Sequence, residues 1–267
     1  MLNFTSQQLQ MWVAMFIWPT TRILGVLATA PPFGSASVPM LVKIMLGVAV
    51  GAVIGPDVPL PAALDPSSLT GLLILLQQMI IGLSMGMAIR IVFAAVEAAG
   101  EFTSATMGLS FAAFFDPQTQ GRTSVVSQLF NLLATMVFLS INGHLVLLAV
   151  LAESFHTLPI SANPMSTEGL HQITLWGARI FSMGLQLALP LVIALLITNF
   201  ALGILTRSAP QLNLFGIGFS ITMMAGFILI GITLPYMLTP LQHFMTEGID
   251  MIRMLGSVPP NAASPRP

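Results

Sequence analysis

Apolar positions along the chain gather into six long runs, roughly 9–30, 38–55, 69–96, 125–152, 171–206 and 214–239. A helix that crosses a bilayer needs about 20 predominantly apolar residues, so each run predicts one spanning helix. The second run lies close to the lower limit. The fifth is too long for one straight span, and Pro190 inside it predicts a kink or a division. The intervening segments carry turn chemistry: Ala30-Pro31-Pro32-Phe33-Gly34, Ile54-Gly55-Pro56-Asp57 followed by Pro59, Pro61 and Pro66, Asn163-Pro164, and Ser208-Ala209-Pro210-Gln211-Leu212-Asn213.

Past the last run, residues 241–255 read as an amphipathic helix. Leu241, Phe244, Met245, Ile252 and Leu255 share one face, while Glu247, Asp250 and Arg253 fall elsewhere. Such a helix can lie at the membrane interface or dock on a partner helix, and its pattern suits both. Residues 257–267 hold four prolines and predict disorder. The start, Met1 to Gln7, lacks a basic segment and a small-residue cleavage site, and reads as retained.

Composition agrees with the runs. Of 267 residues, 55% are hydrophobic and only 6% are charged, against roughly 25% charged in soluble domains. The expected fold is therefore all-α and polytopic, with lipid or protein against most of its surface. A net charge of −1 gives no long-range pull on nucleic acid. With no cysteine, disulfides and thiolate chemistry are excluded.

The loops around 56–68 and 153–170 contain Asp57, Asp65, Glu153 and Glu168 and no Lys or Arg. The alternate connections hold or adjoin Arg22 and Lys43, Arg90 and Arg122, and Arg207. By the positive-inside tendency, the simplest topology places the N-terminus outside and these basic connections inside.

Chemistry of the catalytic kind finds no foothold. His144, His156, His171 and His243 have no metal-ligand spacing, and no phosphate-binding or nucleophile-elbow motif occurs. No cofactor or metal site is expected. His156 with Glu153 forms a lone i,i+3 pair of structural type. Asn131 and Asn142, in the fourth run, are expected to make helix–helix hydrogen bonds.

Packing signals are clearer. Gly47, Gly51 and Gly55 recur every four residues, and Gly82 and Gly86 repeat the spacing; such glycines let helix backbones approach closely, although glycine is also common in membrane helices at large. Among the charges, Arg90 reads as a side chain reaching an interface. Glu97 and Glu101, one turn apart and of like sign, need a cation or a partner protein to offset their repulsion. Arg90, Glu97 and Glu101 are therefore candidate inter-subunit polar contacts.

The segment Met107-Gly108-Leu109-Ser110-Phe111-Ala112-Ala113-Phe114-Phe115-Asp116-Pro117-Gln118 crowds three phenylalanines against an Asp-Pro step, where a helix should end. As a lipid-facing helix end, the rings are filler. As a re-entrant stretch, the segment must be enclosed by protein or line a cavity, and its bulky apolar side chains suit a constriction that excludes water and ions.

Taken in order, Arg22-Ile23-Leu24 with Ala30-Pro31-Pro32-Phe33-Gly34 and Val38-Pro39, Arg90-Ile91-Val92-Phe93 with Gly100-Glu101, Gly108-Leu109-Ser110-Phe111 with Asp116-Pro117, Asn142-Gly143-His144, Glu153-Ser154-Phe155 and Ala209-Pro210-Gln211-Leu212-Asn213 resemble the FliR family of type III export-gate proteins. The likeness runs over nearly the whole chain.

It implies a non-enzymatic subunit of the bacterial inner membrane and flagellar basal body. Such a subunit joins several copies of FliP and FliQ in a helical channel that passes unfolded flagellar proteins, with FlhB and FlhA alongside. It also implies a single membrane-embedded domain over 1–256 resembling a fusion of its partners: 1–170 FliP-like, 171–240 a FliQ-like hairpin, and 241–256 the tail helix. The family's pore plug maps onto Phe111 and Phe114, with Phe115 and Asp116 adjoining. Two alternatives stand: the export gate of a virulence injectisome and, in a different class, a small-molecule or ion transporter.

Overall fold

The computed structural model describes residues 5–59, 66–109, 123–161, 167–208 and 218–257. Its regular elements are helices: α1 (Ser6–Thr29), α2 (Met40–Ile54) with a 3-10 turn at Gly55–Asp57, α3 (Leu69–Met107), α4 (Val125–Ser140), α5 (Gly143–Thr157), α6 (Thr167–Gly177), α7 (Arg179–Ser208) and α8 (Phe219–Ser257). Among the described residues, five helical stretches are long and apolar enough to cross a membrane, or up to six when α4 and α5 are taken as one broken span. The chain is an all-α polytopic membrane protein.

The six runs reappear with altered ends. The third continues past residue 96 to Met107 and stops at Gly108, whose φ of 82° is a left-handed conformation that glycine adopts without a Cβ penalty. The fourth is not one helix. It breaks at Asn142, which stands at φ 56°, and Asn is among the few side chains that tolerate that region. The fifth breaks at Ala178, between α6 and α7, and Pro190 lies inside an uninterrupted α7. Proline is carried inside membrane helices when neighbouring groups satisfy the carbonyl it leaves free, and Pro19, Pro235 and Pro240 are carried likewise in α1 and α8.

The stretch 241–255 is the end of α8 rather than a separate tail helix. Leu241, Phe244, Met245, Ile252 and Leu255 are all buried within the chain, so its apolar face is already covered. Residues 258–267, where disorder is expected, lie outside the described residues.

Two compact units interleave along the chain. The first comprises Met1–Ile91, Asn142–Gly177 and Thr246–Pro267; the second comprises Val92–Ile141 and Ala178–Met245.

In the first unit, α1 and α2 form an antiparallel hairpin. A Cβ at Gly47 would meet the Leu24 side chain, one at Gly51 would lie 2.6 Å from Thr20 Oγ1, and one at Gly55 would lie 3.1 Å from the Met15 carbonyl. Pro19 has no amide to give that carbonyl. On its other side α1 runs parallel to α3. A Cβ at Gly82 would strike the Arg22 carbonyl, one at Gly86 the Thr29 hydroxyl, and one at Gly25 would come within 3.0 Å of the Leu83 amide. Trp176 of α6 donates its indole N–H to the Ala88 carbonyl of α3 at 3.0 Å.

In the second unit, Phe93 and Phe138 meet edge to face at 6.0 Å. Gly184 of α7 sits where a Cβ would lie 2.9 Å from the Ala95 carbonyl, and Gly226 of α8 packs against Met107.

Candidate functional site

Arg22 is the centre of the first unit. Its side chain is fully buried in α1, so it is not a loop cation, and it drops out of the positive-inside count made above. A buried guanidinium needs partners for its five N–H donors. Nε donates to Gln78 Oε1 of α3 at 2.8 Å, and Nη2 reaches the same oxygen at 2.5 Å. Nη1 donates to the carbonyl and the hydroxyl of Ser154 at 2.9 and 3.1 Å, and Nη2 also donates to the Leu158 carbonyl at 2.8 Å. The Phe155 ring lies 4.3 Å below the guanidinium carbon, in cation–π range.

None of these partners is a carboxylate. Ser154 and Leu158 belong to the negative end of the α5 dipole; the Ser154 carbonyl also accepts the Leu158 amide at 2.9 Å, whereas the Leu158 carbonyl, at the C-cap, lies past the last intrahelical donor. Pro159 follows at once and offers no amide to extend the helix. The charge is thus met by a helix C-terminus, a glutamine and a ring. Among the described residues, four other polar atoms in this unit, Trp18 Nε1, Thr20 Oγ1, Gln78 Nε2 and His144 Nδ1, are buried without a hydrogen-bond partner.

Beside Phe155 opens a hollow of about 260 Å³ lined by Asp57, Glu153 and His156 among others. His156 Nε2 lies 3.6 Å from Asp57 Oδ2, and both side chains are largely exposed. His156 thus faces Asp57, and among the described residues it makes no ion pair with Glu153.

The second unit holds the candidate charges Glu97 and Glu101. Glu101 Oε1 accepts the Ser124 amide at 2.7 Å and lies 2.8 Å from the Ser127 hydroxyl, at the start of α4. Part of the compensation expected from outside thus comes from the chain itself, since a helix N-terminus carries partial positive charge. The Glu97 carboxylate has no hydrogen-bond or ion-pair partner among the described residues; its backbone carbonyl is 3.0 Å from the Ser127 hydroxyl. Arg90, in the first unit, is exposed and unpaired among the described residues. Asn131 and Asn142 make no side-chain hydrogen bond to another helix among the described residues. That role falls to Asn199, which donates to the Thr106 carbonyl at 3.2 Å and accepts from the Thr222 hydroxyl at 3.1 Å.

Phe111, Phe114, Phe115 and Asp116 lie outside the described residues. Sequence reasoning missed Gln78 and Asn199. Their signal was an amide side chain in an apolar run, single at Asn199 and paired with Gln77 at Gln78, as legible as that of Asn131 and Asn142, which it did single out.

The helices and their buried polar contacts define a polytopic membrane protein organised around glycine-lined interfaces and the enclosed Arg22 cation. The chain belongs to the family of bacterial export proteins, family 1, whose pattern it matches over residues 13–248. It is similar to the flagellar biosynthetic protein FliR of Pectobacterium carotovorum subsp. carotovorum, 41% identical over 252 residues that cover 94% of this chain and 96% of the relative. FliR of Escherichia coli strain K12 is 39% identical over 253 residues, again 94% and 96% of the two chains. FliR of Bacillus subtilis strain 168 is 26% identical over 244 residues, 90% and 93%. With its several spans, this family membership makes the chain a protein of the bacterial inner membrane.

Proposed function

We propose that this protein is a non-enzymatic subunit of the flagellar type III protein export gate, located in the flagellar basal body. The observation that carries the reading is end-to-end likeness to flagellar FliR proteins, at 41% identity over 94% of the chain. In this reading it assembles with FliP and FliQ into the channel for unfolded flagellar proteins, and FlhB and FlhA associate with that channel. Residues 1–170 take the FliP-like part and 171–240 the FliQ-like hairpin. Phe111 and Phe114 close the pore, with Phe115 and Asp116 adjoining.

The surface is compatible with such an assembly. Along α7, Leu185, Leu189, Leu196, Phe200 and Ile204 are all exposed on the isolated chain, a patch that lipid or other subunits must cover. The decisive experiment expresses the chain alone and together with FliP- and FliQ-type subunits and weighs the purified assemblies by native mass spectrometry. A mixed complex containing this chain is the expected result. A monodisperse, transport-active homo-oligomer of the chain alone would overturn the reading in favour of a transporter.

A further inference from the structure

In the second unit α3 and α4 run antiparallel, and two polar steps face each other along their seam. Gly100 sets the approach, since a Cβ there would stand 2.7 Å from the Ser127 amide nitrogen. Phe93 and Phe138 meet further along the same seam. In that register Glu101 is satisfied within the chain: Oε1 accepts the Ser124 amide at 2.7 Å and lies 2.8 Å from the Ser127 hydroxyl.

One turn back along α3 and one turn on along α4, the register brings Glu97 level with Asn131. The Glu97 carbonyl is already in contact with α4, 3.0 Å from the Ser127 hydroxyl. Yet neither the Glu97 carboxylate nor the Asn131 amide has a hydrogen-bond or ion-pair partner among the described residues, and both residues are half-buried. Glu101 gives Glu97 no relief, because like charges one turn apart repel.

The neighbouring surface is apolar. Leu132 and Met136 of α4 are exposed on the isolated chain, and Ala94 of α3 is half-buried. Lipid or protein must cover such a face. A carboxylate against lipid is strongly disfavoured, and ionisable side chains within spans are met by protein and paired. A cation from outside the chain is therefore the complement this position calls for.

We propose that Glu97 and Asn131 form a docking point for a basic side chain, Lys or Arg, carried on a helix of another gate subunit. The identity of that subunit rests on the export-gate reading above. The carboxylate supplies the opposite charge, and the Asn131 carbonyl oxygen a second acceptor beside it. The short side chain of Ala94 lets a second helix come close to α3. Glu101 has a different role, as an internal contact to the start of α4.

The test uses the full chain co-expressed with FliP- and FliQ-type subunits, with mixed complexes counted by native mass spectrometry. Glu97→Arg should lower the yield severalfold, and changing one partner Lys or Arg to Glu in that background should restore it. Replacing Leu132 by a photo-crosslinking amino acid, which leaves Glu97 intact, should couple this chain to a partner helix. A wild-type yield in Glu97→Arg overturns the proposal, as does the failure of every single charge reversal in the partner spans to restore it. A crosslink from position 132 to lipid alone overturns it as well, since the face would then be a lipid contact. If the unaltered chain forms no mixed complex, the export-gate reading falls and the docking point with it. A normal complex that tolerates Glu97→Arg removes the docking point alone.

Discussion

Arg22 and Ser154 stand 132 positions apart in the chain and are joined by two hydrogen bonds, from one guanidinium nitrogen to the carbonyl and to the hydroxyl of the serine. The contact ties the N-terminal hairpin to the end of α5 and closes the first unit. Its strength comes from completeness, since a guanidinium with every donor engaged is tolerated where a half-paired one is not.

Removing one partner should therefore cost more than a single hydrogen bond. Gln78→Leu strands two donor contacts of a buried charge, and Arg22→Ala strands the acceptors; each is expected to destabilise by about 3–5 kcal/mol. Arg22→Lys should rescue little, because an ammonium cannot reach Gln78 and α5 together. Thermal unfolding of the purified complex, followed with its yield from membranes, reads the effect. A wild-type melting temperature in Gln78→Leu would show that the centre is dispensable.

The glycine contacts predict a rank order. Gly82→Ala places a methyl against the Arg22 backbone carbonyl, which cannot move without shifting α1, whereas Gly47→Ala meets the flexible end of Leu24. Overpacking should cost about 1–3 kcal/mol at Gly82, and less at Gly47. Gly203→Ala meets nothing within 4 Å, so it should be neutral or stabilise by up to about 1 kcal/mol through helix propensity. Gly51→Leu should block assembly outright. Complex yields across the four variants test the order; equal yields would mean that the glycines are incidental.

At the break between α4 and α5, Asn142→Gly should be silent, since glycine adopts φ 56° freely. Asn142→Val should lose about 1–2 kcal/mol, the cost of a left-handed L-residue, and more if the break straightens. Thermal melts of the two variants decide whether the left-handed residue is required.

Replacing Phe111 and Phe114 together with alanine should make the assembled channel leak ions. The measurement is conductance in planar bilayers or salt sensitivity in cells, and wild-type values in the double variant would reduce both rings to packing.

Much of the architecture is legible in the sequence because membrane insertion selects on long apolar runs, and six such runs survive as helical segments. Their interruptions are harder to read. Pro190 looks like a breaker, yet α7 passes through it, while the fifth run parts at Ala178 with no proline near. Lipid disfavours open backbone more than it disfavours a proline whose neighbours satisfy the freed carbonyl. Glu97 and Glu101 are visible as a like-charged pair, but the partner of Glu101 is a main-chain amide 23 residues on, and amides leave no mark in residue type. The same holds for Arg22, whose charge is visible while the Ser154 and Leu158 carbonyls that receive it are not.

That dependence on distant carbonyls has a consequence in time. An arginine within a lone spanning helix is disfavoured in lipid by about 2.5–3.5 kcal/mol. As the chain emerges from the ribosome, α1 arrives long before the end of α5 exists. Until residues 154–158 are made, Arg22 must be sheltered by the insertion machinery or reach for the bilayer surface. The N-terminal hairpin is therefore not a free-standing first step of biogenesis. Its final seating is a late event, licensed by the synthesis of a helix end more than a hundred residues downstream.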